Sequence, residues 1–252
     1  MDPVLARELA YHEQLYSGFA QGHFARPAVR TLRAHMVAHI LRVTGVGPEA
    51  RVLSLGCGIG DTELLMAPRV GEIVGVDLAP SAVRQAREDA ARAGIRNARF
   101  FEGALEALEM RSSFDLVIAI FFLHHLPDPV LESVPRHVAR LLVPGGKFYS
   151  LDPSRYRLSG AIGQLVAPGL MRRYQSPDER ELVPGETARL FRDAGFACRC
   201  GLYDFLSTPL AGLFPGWRAG YRAARALDNL LVHVPLVRRA GSNFEIIATA
   251  PR

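Results

Sequence analysis

Cysteine is scarce in this chain. There are three, Cys57, Cys198 and Cys200, an odd number with no pair of Cys-x-x-Cys motifs. Neither a disulfide framework nor a zinc site is therefore expected, and no metal ligands are assigned. A reducing, cytoplasmic location is the default expectation. Lysine is scarcer still: Lys147 is the only one, so nearly all positive charge is arginine. The formal net charge is +5, yet the arginines lie among Asp and Glu and no basic run reaches five residues. That dispersal argues against a nucleic-acid partner on charge alone. No stretch of 18 apolar residues is present, so no transmembrane span is expected. Met1 to Ala20 carries Asp2, Glu8 and Glu13 and has no apolar block, so a signal peptide is not expected either. Internal repeats and low-complexity tracts are also missing.

What is present is an ordinary globular balance over 252 residues, long enough to bury a core without cross-links. Residues 4–43 read as helices, with Leu32, Met36, Val37, Ile40 and Leu41 at helical spacing and Gly45 as the stop. Arg51 to Leu55 reads as a strand, Thr62 to Ala67 as a helix, and Glu72 to Val76 as a strand ending at Asp77. Pro80 to Ala93 is a helix stopped by Gly94, and Ala98 to Phe101 a third strand. Phe114 to Ile120 is apolar enough for a strand buried on both faces. Leu131 to Leu142 is a helix, and Pro144-Gly145-Gly146 turns into a strand over Lys147 to Leu151. Glu186 to Ala194 is a further helix, with strands over Phe196 to Phe205 and Asn243 to Ala250. This alternation predicts an α/β, doubly wound, Rossmann-like sheet with its ligand site at the carboxyl ends of the strands.

Three motifs fall at such ends. Val52 to Asp61 runs a strand into Gly56-Cys57-Gly58-Ile59-Gly60 and then a helix. Glycines there allow a sharp turn and a close ligand approach. The spacing departs from the Gly-x-Gly-x-x-Gly of dinucleotide sites. Asp77, 17 positions after Gly60, is placed to accept hydrogen bonds from vicinal ribose hydroxyls. Its competing role is to cap the helix near Pro80-Ser81. The apolar strand Phe114 to Ile120 delivers Phe121-Phe122-Leu123-His124-His125-Leu126-Pro127-Asp128 just beyond its end.

Together these motifs resemble the class I S-adenosylmethionine-dependent methyltransferases, especially their small-molecule group. The likeness covers about residues 48–152 well, and Val183 to Phe196 and the last strand more loosely. It implies a seven-stranded sheet with an antiparallel last strand. It also implies a helical N-terminal lid (1–45), a cofactor-binding core (46–152) and a remainder (153–252) carrying substrate-cap insertions at 153–182 and 206–242. By position, Gly56, Cys57, Gly58 and Gly60 would line the methionine part of S-adenosylmethionine. Asp77 would hold the ribose, Leu78, Ala104 and Leu105 would meet the adenine, and Ile120 and Phe121 would lie beneath the sulfonium. Two departures matter. Ser54 stands where an acidic residue is usual, leaving Tyr16 or Arg30 to serve the cofactor's amino group. Ala104 stands where Asp is frequent, so adenine recognition would rest on main-chain groups.

A general base is needed only for an acceptor that must lose a proton, and His124 and His125 are the candidates. The competing role for either ring is to pin a backbone group. His12, with Tyr11 and Tyr16, sits on the expected lid. The 206–242 segment holds Phe205, Leu206, Leu210, Leu213, Phe214, Trp217, Tyr221 and Leu227 beside Arg218, Arg222 and Arg225. An apolar cap suits a hydrophobic small molecule. Core packing, a homodimer interface and peripheral membrane contact are the other readings of this stripe. The expectation is a methyltransferase for a small, hydrophobic acceptor, at O, N or C, in secondary metabolism. An RNA or protein methyltransferase, a non-catalytic binding subunit and a nicotinamide oxidoreductase are the alternatives. The first lacks the Asp/Asn-Pro-Pro-aromatic and Pro-Cys motifs, and the last lacks a Tyr-x-x-x-Lys pair.

Overall fold

The computed structural model describes residues 3–105, 113–160, 165, 176, 178–234 and 240–251. Much of the expected 153–182 cap therefore lies outside the described residues. Three helices open the chain: α1 (Pro3–Tyr16), α2 (Phe19–Phe24) and α3 (Pro27–Thr44). There follow β1 (Arg51–Leu55), α4 (Asp61–Met66), β2 (Glu72–Asp77), α5 (Pro80–Arg92), β3 (Ala98–Glu102), β4 (Phe114–Ile120), α6 (Asp128–Leu141) and β5 (Leu142–Pro153). Further along come α7 (Pro184–Asp193), β6 (Ala197–Asp204), α8 (Ser207–Leu213), α9 (Arg218–Leu231) and β7 (Asn243–Thr249).

The sheet has seven strands in the order β3-β2-β1-β4-β5-β7-β6. The first five are mutually parallel, and β7 runs antiparallel to both β5 and β6. Side-chain alternation splits the strands between two cores. Leu53, Leu55, Val74, Val76, Val117 and Phe148 face α6 and α7. Val52, Ile73, Leu116, Ile118, Tyr149 and Leu151 face α3, which buries Leu32, Met36, Val37 and Ile40. Both faces are covered, which is why β1 and β4 are apolar runs rather than alternating ones.

Element boundaries match the sequence reading closely, with two differences. The helix expected from Leu131 begins at Asp128, because Pro129 in the first turn forfeits no helical hydrogen bond. The turn at Pro144-Gly145-Gly146 is absorbed as an irregularity within β5. Phe114 pairs with Leu142 and Leu116 with Lys147, so the residues between bulge out, with Gly145 at φ 76°.

The apolar 206–242 stripe divides in two. Ala211, Tyr221 and Ala224 are core, while Phe214, Trp217 and Leu230 remain exposed. Buried Asp228 on α9 accepts N–H groups from Phe205, Leu206 and Ser207, and so caps the start of α8. Among the described residues no helix is long and apolar enough to cross a membrane.

Candidate active site

The glycine turn joins β1 to α4. Gly56, Gly58 and Gly60 all take positive φ, at 65°, 52° and 75°. Their uses differ. A Cβ on Gly58 would lie 2.6 Å from the Tyr16 hydroxyl, and one on Gly56 would run into the Phe122 ring. At both positions an aromatic side chain already fills the space a Cβ would take, so only glycine lets Tyr16 and Phe122 pack against the turn. Gly60 lines neither cavity described below; a Cβ there would meet Phe100 and Ala86, so it serves the packing of α4 and α5. The N–H groups of Gly56 and Cys57 both donate to the Val76 carbonyl, which ties the turn to the end of β2.

Asp77 sits at that end. One carboxylate oxygen accepts the Gly58 N–H at 2.7 Å and the other the Ala79 N–H at 2.9 Å. Burial raises its pKa and the two N–H groups oppose the rise. It does not cap α5. The Ser81 N–H in the first turn donates instead to Glu13 Oε1, reaching over from α1 at 3.0 Å.

Two adjoining cavities flank the turn. The smaller, of about 100 Å³, is lined by Asp77, Leu78, Ala104 and Leu105. The larger, of about 370 Å³, is lined by Cys57, Gly58, Ile120, His124 and residues of α1, α2, α3 and α8. His12, Tyr16, Gly56, Phe121 and His125 line both. Tyr16 thus lies at the junction of the two cavities, whereas Arg30 is exposed and lines neither. Arg33, one turn along α3, lines the larger cavity, as does Arg157. Its Nε is 2.8 Å from Asp61 Oδ2, and its guanidinium lies 5.7 Å from the Phe121 ring centre. Phe121 has φ 53°, the one positive value outside glycine among the described residues, held by its N–H bond to the Leu151 carbonyl. Such strain persists only where surrounding contacts enforce it, and it concentrates at functional sites.

The two histidines do different things. His124 Nδ1 is 3.0 Å from Asp152 Oδ1, and Asp152 is wholly buried at the end of β5. Asp152 also accepts the His124 backbone N–H at 3.3 Å, so the carboxylate fixes both the turn and the ring. Nε2 is left on the cavity side, 3.9 Å from Glu179 Oε1. Burial, then the nearby Arg157, holds the His124 pKa well below its ordinary value, while burial pushes Asp152 up. Burial likewise lifts Glu179 to about 7, opposed by Arg157. His125 Nδ1 instead pairs with Glu8 Oε2 on α1 at 2.9 Å, and Glu8 also accepts the Ser176 hydroxyl at 2.6 Å. His12 stacks edge-on against His125, with ring centres 4.7 Å apart. Glu8–His12–His125 and His124–His125–Glu179 each bring potential metal-ligand atoms within 4.8 Å of one another. In both groups histidine nitrogens are already hydrogen-bonded to carboxylates.

Sequence reasoning placed the glycine turn, Asp77 and the histidine pair. It missed Asp152, Glu179, Arg33, Glu63 and Glu8. Asp152 carried a usable signal, as a carboxylate closing an apolar strand at the ligand-binding end of the sheet. The others are defined by contacts between distant segments.

A methyltransferase-domain profile matches residues 52–146. The ubiquinone biosynthesis O-methyltransferase of Paracidovorax citrulli is 32% identical over 173 residues, covering 66% of this chain and 69% of that protein. The chain belongs to the class I S-adenosylmethionine-dependent methyltransferases. An uncharacterised methyltransferase of Bacillus subtilis, YcgJ, is 37% identical over 105 residues, 41% of each chain. Its crystal structure superposes with a TM-score of 0.59 at 24% identity, over 86% of this chain and 99% of that one. A 23S rRNA (uracil-C5) methyltransferase of Xylella fastidiosa is 39% identical over 115 residues, 41% of this chain but 26% of that protein. The methyltransferase therefore spans less than half the length of two of these three relatives in its matched region. S-adenosylmethionine is the cofactor of the family.

Proposed function

We propose that this methyltransferase transfers a methyl group to a hydroxyl of a small, largely hydrophobic acceptor, with His124 as the general base. The His124–Asp152 pair carries this reading. An acceptor amine that is already neutral needs no base, whereas a hydroxyl must lose its proton. A buried ring with Nδ1 committed to a carboxylate has Nε2 free to take that proton, and the carboxylate stabilises the imidazolium that forms. Burial and Arg157 hold the His124 pKa down, so the ring is neutral near neutral pH, and proton uptake rests on the Asp152 contact that offsets the charge it gains.

The residues present fit the cofactor. Gly56 and Gly58 present bare backbone to the cavities at the turn, and Asp77 stands at the end of β2 lining the smaller one. In this placement Asp77 holds the ribose, Leu78, Ala104 and Leu105 contact the adenine, and Gly56, Cys57 and Gly58 line the methionyl part. Ile120 and Phe121 lie below the sulfonium. When bound, the cofactor supplies a methyl group on a positively charged sulfur. Held by these residues, the cofactor would supply its methyl group to the acceptor oxygen, and His124 Nε2 would take the acceptor's proton. Phe24, Leu32, Phe121 and Leu213 give the rest of the larger cavity an apolar wall. Alignment of the reactants is the main contribution expected of such an enzyme, worth about 7–11 kcal/mol. His125 serves to hold α1 down through Glu8.

A panel of phenols, hydroxylated lipids and amines, incubated with deuteromethyl-labelled cofactor and read by mass spectrometry, tests this. O-methyl products are expected, with kcat lowered about 10²–10⁴-fold in His124→Ala and cofactor affinity retained. Products methylated on nitrogen alone, or an unchanged kcat in His124→Ala, would overturn the base assignment.

A further inference from the structure

Ser54 lies on β1 with its side chain toward α4, and is 2% exposed. Its hydroxyl donates to Glu63 Oε1 at 2.6 Å. Glu63, in the first turn of α4, is 3% exposed, and its second oxygen, Oε2, has no hydrogen-bond partner among the described residues. An orphaned carboxylate oxygen this deep is expensive, and a glutamine or an apolar side chain would suit a purely structural position better. Glu63 nevertheless lines the larger cavity, next to the glycine turn. The neighbouring carboxylate, Asp61, is already matched by Arg33 at 2.8 Å. Burial, with Asp61 adding to it, pushes the Glu63 pKa to about 7, against the opposing pull of the Ser54 hydroxyl, of Glu63's own backbone N–H and of Arg33.

The cofactor brings two positive groups, a sulfonium and an α-ammonium. With the adenosine in the smaller cavity and Asp77 at the ribose, the methionyl end reaches across the turn to the α4 side. There the uncommitted anion is Glu63. We propose that Glu63 is the site for the α-ammonium of the bound cofactor, with Ser54 orienting its carboxylate so that Oε2 receives the N–H. The strand position thus holds the hydroxyl and the helix position supplies the acid. This rests on the cofactor placement given under the proposed function.

The test compares two probes by calorimetry at pH 8. S-adenosylhomocysteine carries the ammonium; 5′-methylthioadenosine has the same nucleoside and thioether without the amino-acid end. Glu63→Gln should weaken S-adenosylhomocysteine by about ten- to a hundredfold, the scale of a hydrogen bond to a charged group. It should leave 5′-methylthioadenosine within about twofold. Relocating the acid, in Ser54→Asp/Glu63→Ala, should restore selective affinity for S-adenosylhomocysteine. Equal loss for both probes, or no loss for either, would overturn the assignment of Glu63. Wild-type protein that bound neither probe would overturn the cofactor placement itself. Thermal melts of each variant establish that it is folded before it is titrated.

Discussion

At the residue scale, the site is built from carboxylates that folding does not favour. Glu63 is the clearest case. Its ordinary pKa of 4.5 rises to about 7 in the fold. A raised folded-state value means that stability is full below pH 4.5 and is lost as pH climbs through 7. The shift corresponds to about 3 kcal/mol at 1.36 kcal/mol per unit. Urea unfolding of cofactor-free protein at pH 5 and pH 8 should therefore show wild type losing about 3 kcal/mol more than Glu63→Gln. Parallel pH profiles would contradict the burial argument. The same variant gains stability at pH 8 and loses ligand, as expected when a binding group is kept at the expense of the fold. Asp77 makes a second prediction. Asp77→Ala should weaken cofactor binding by about 1.5–3 kcal/mol, measured by calorimetry on protein whose circular dichroism is unchanged. Full affinity in that variant would remove Asp77 from the ribose.

Elements show which parts of the architecture were legible in sequence. β1 and β4 were predicted to their terminal residues, because each is an apolar run closed by turn chemistry at both ends. The start of α6 was placed too late because the first apolar residue was taken for the first helical one, although Pro129 already marks the opening turn. The glycine turn and Asp77 were legible because their motif is local. The pairs His124–Asp152 and His125–Glu8 were not, since their members lie 28 and 117 positions apart. No periodicity records such a pairing; only the sheet order and the placement of α1 create it. The α8–α9 hairpin is similar. Its anchor is Asp228, in the last turn of α9, a residue not singled out from the sequence. Removing that carboxylate in Asp228→Ala strands the N–H groups of Phe205, Leu206 and Ser207. The expected loss is about 3 kcal/mol, seen as a lowered urea midpoint with unchanged m-value.

Across the whole molecule, α1 bridges parts of the chain that are remote in sequence. Arg7 pairs with Asp178 at 2.7 Å, Glu8 with His125, and Glu13 with the Ser81 N–H of α5. Leu9 and Tyr16 add apolar contacts to Ile59, Ala79 and Ala82, but Glu8 is the one residue of α1 that is buried, so the helix rests on the rim of the site. Such segments open at a small fraction of the global unfolding free energy. Hydrogen exchange should accordingly show amides of residues 3–16 exchanging faster than those of β1 and β4 without ligand, and slowing when S-adenosylhomocysteine is added. Exchange in α1 that ignored the ligand would detach it from the site. The exposed Phe214, Trp217 and Leu230 are the other large-scale feature.

The wall between the two cavities has a thermodynamic reading. His12, Tyr16, Gly56, Phe121 and His125 face both chambers, so the occupant of one sets the shape of the other. Any factor by which nucleoside binding improves acceptor binding must then be returned, equal in size, by the acceptor to the nucleoside. An acceptor too weak to register against the empty protein can therefore register against protein saturated with S-adenosylhomocysteine. Unknown acceptors are best sought with the first chamber already filled.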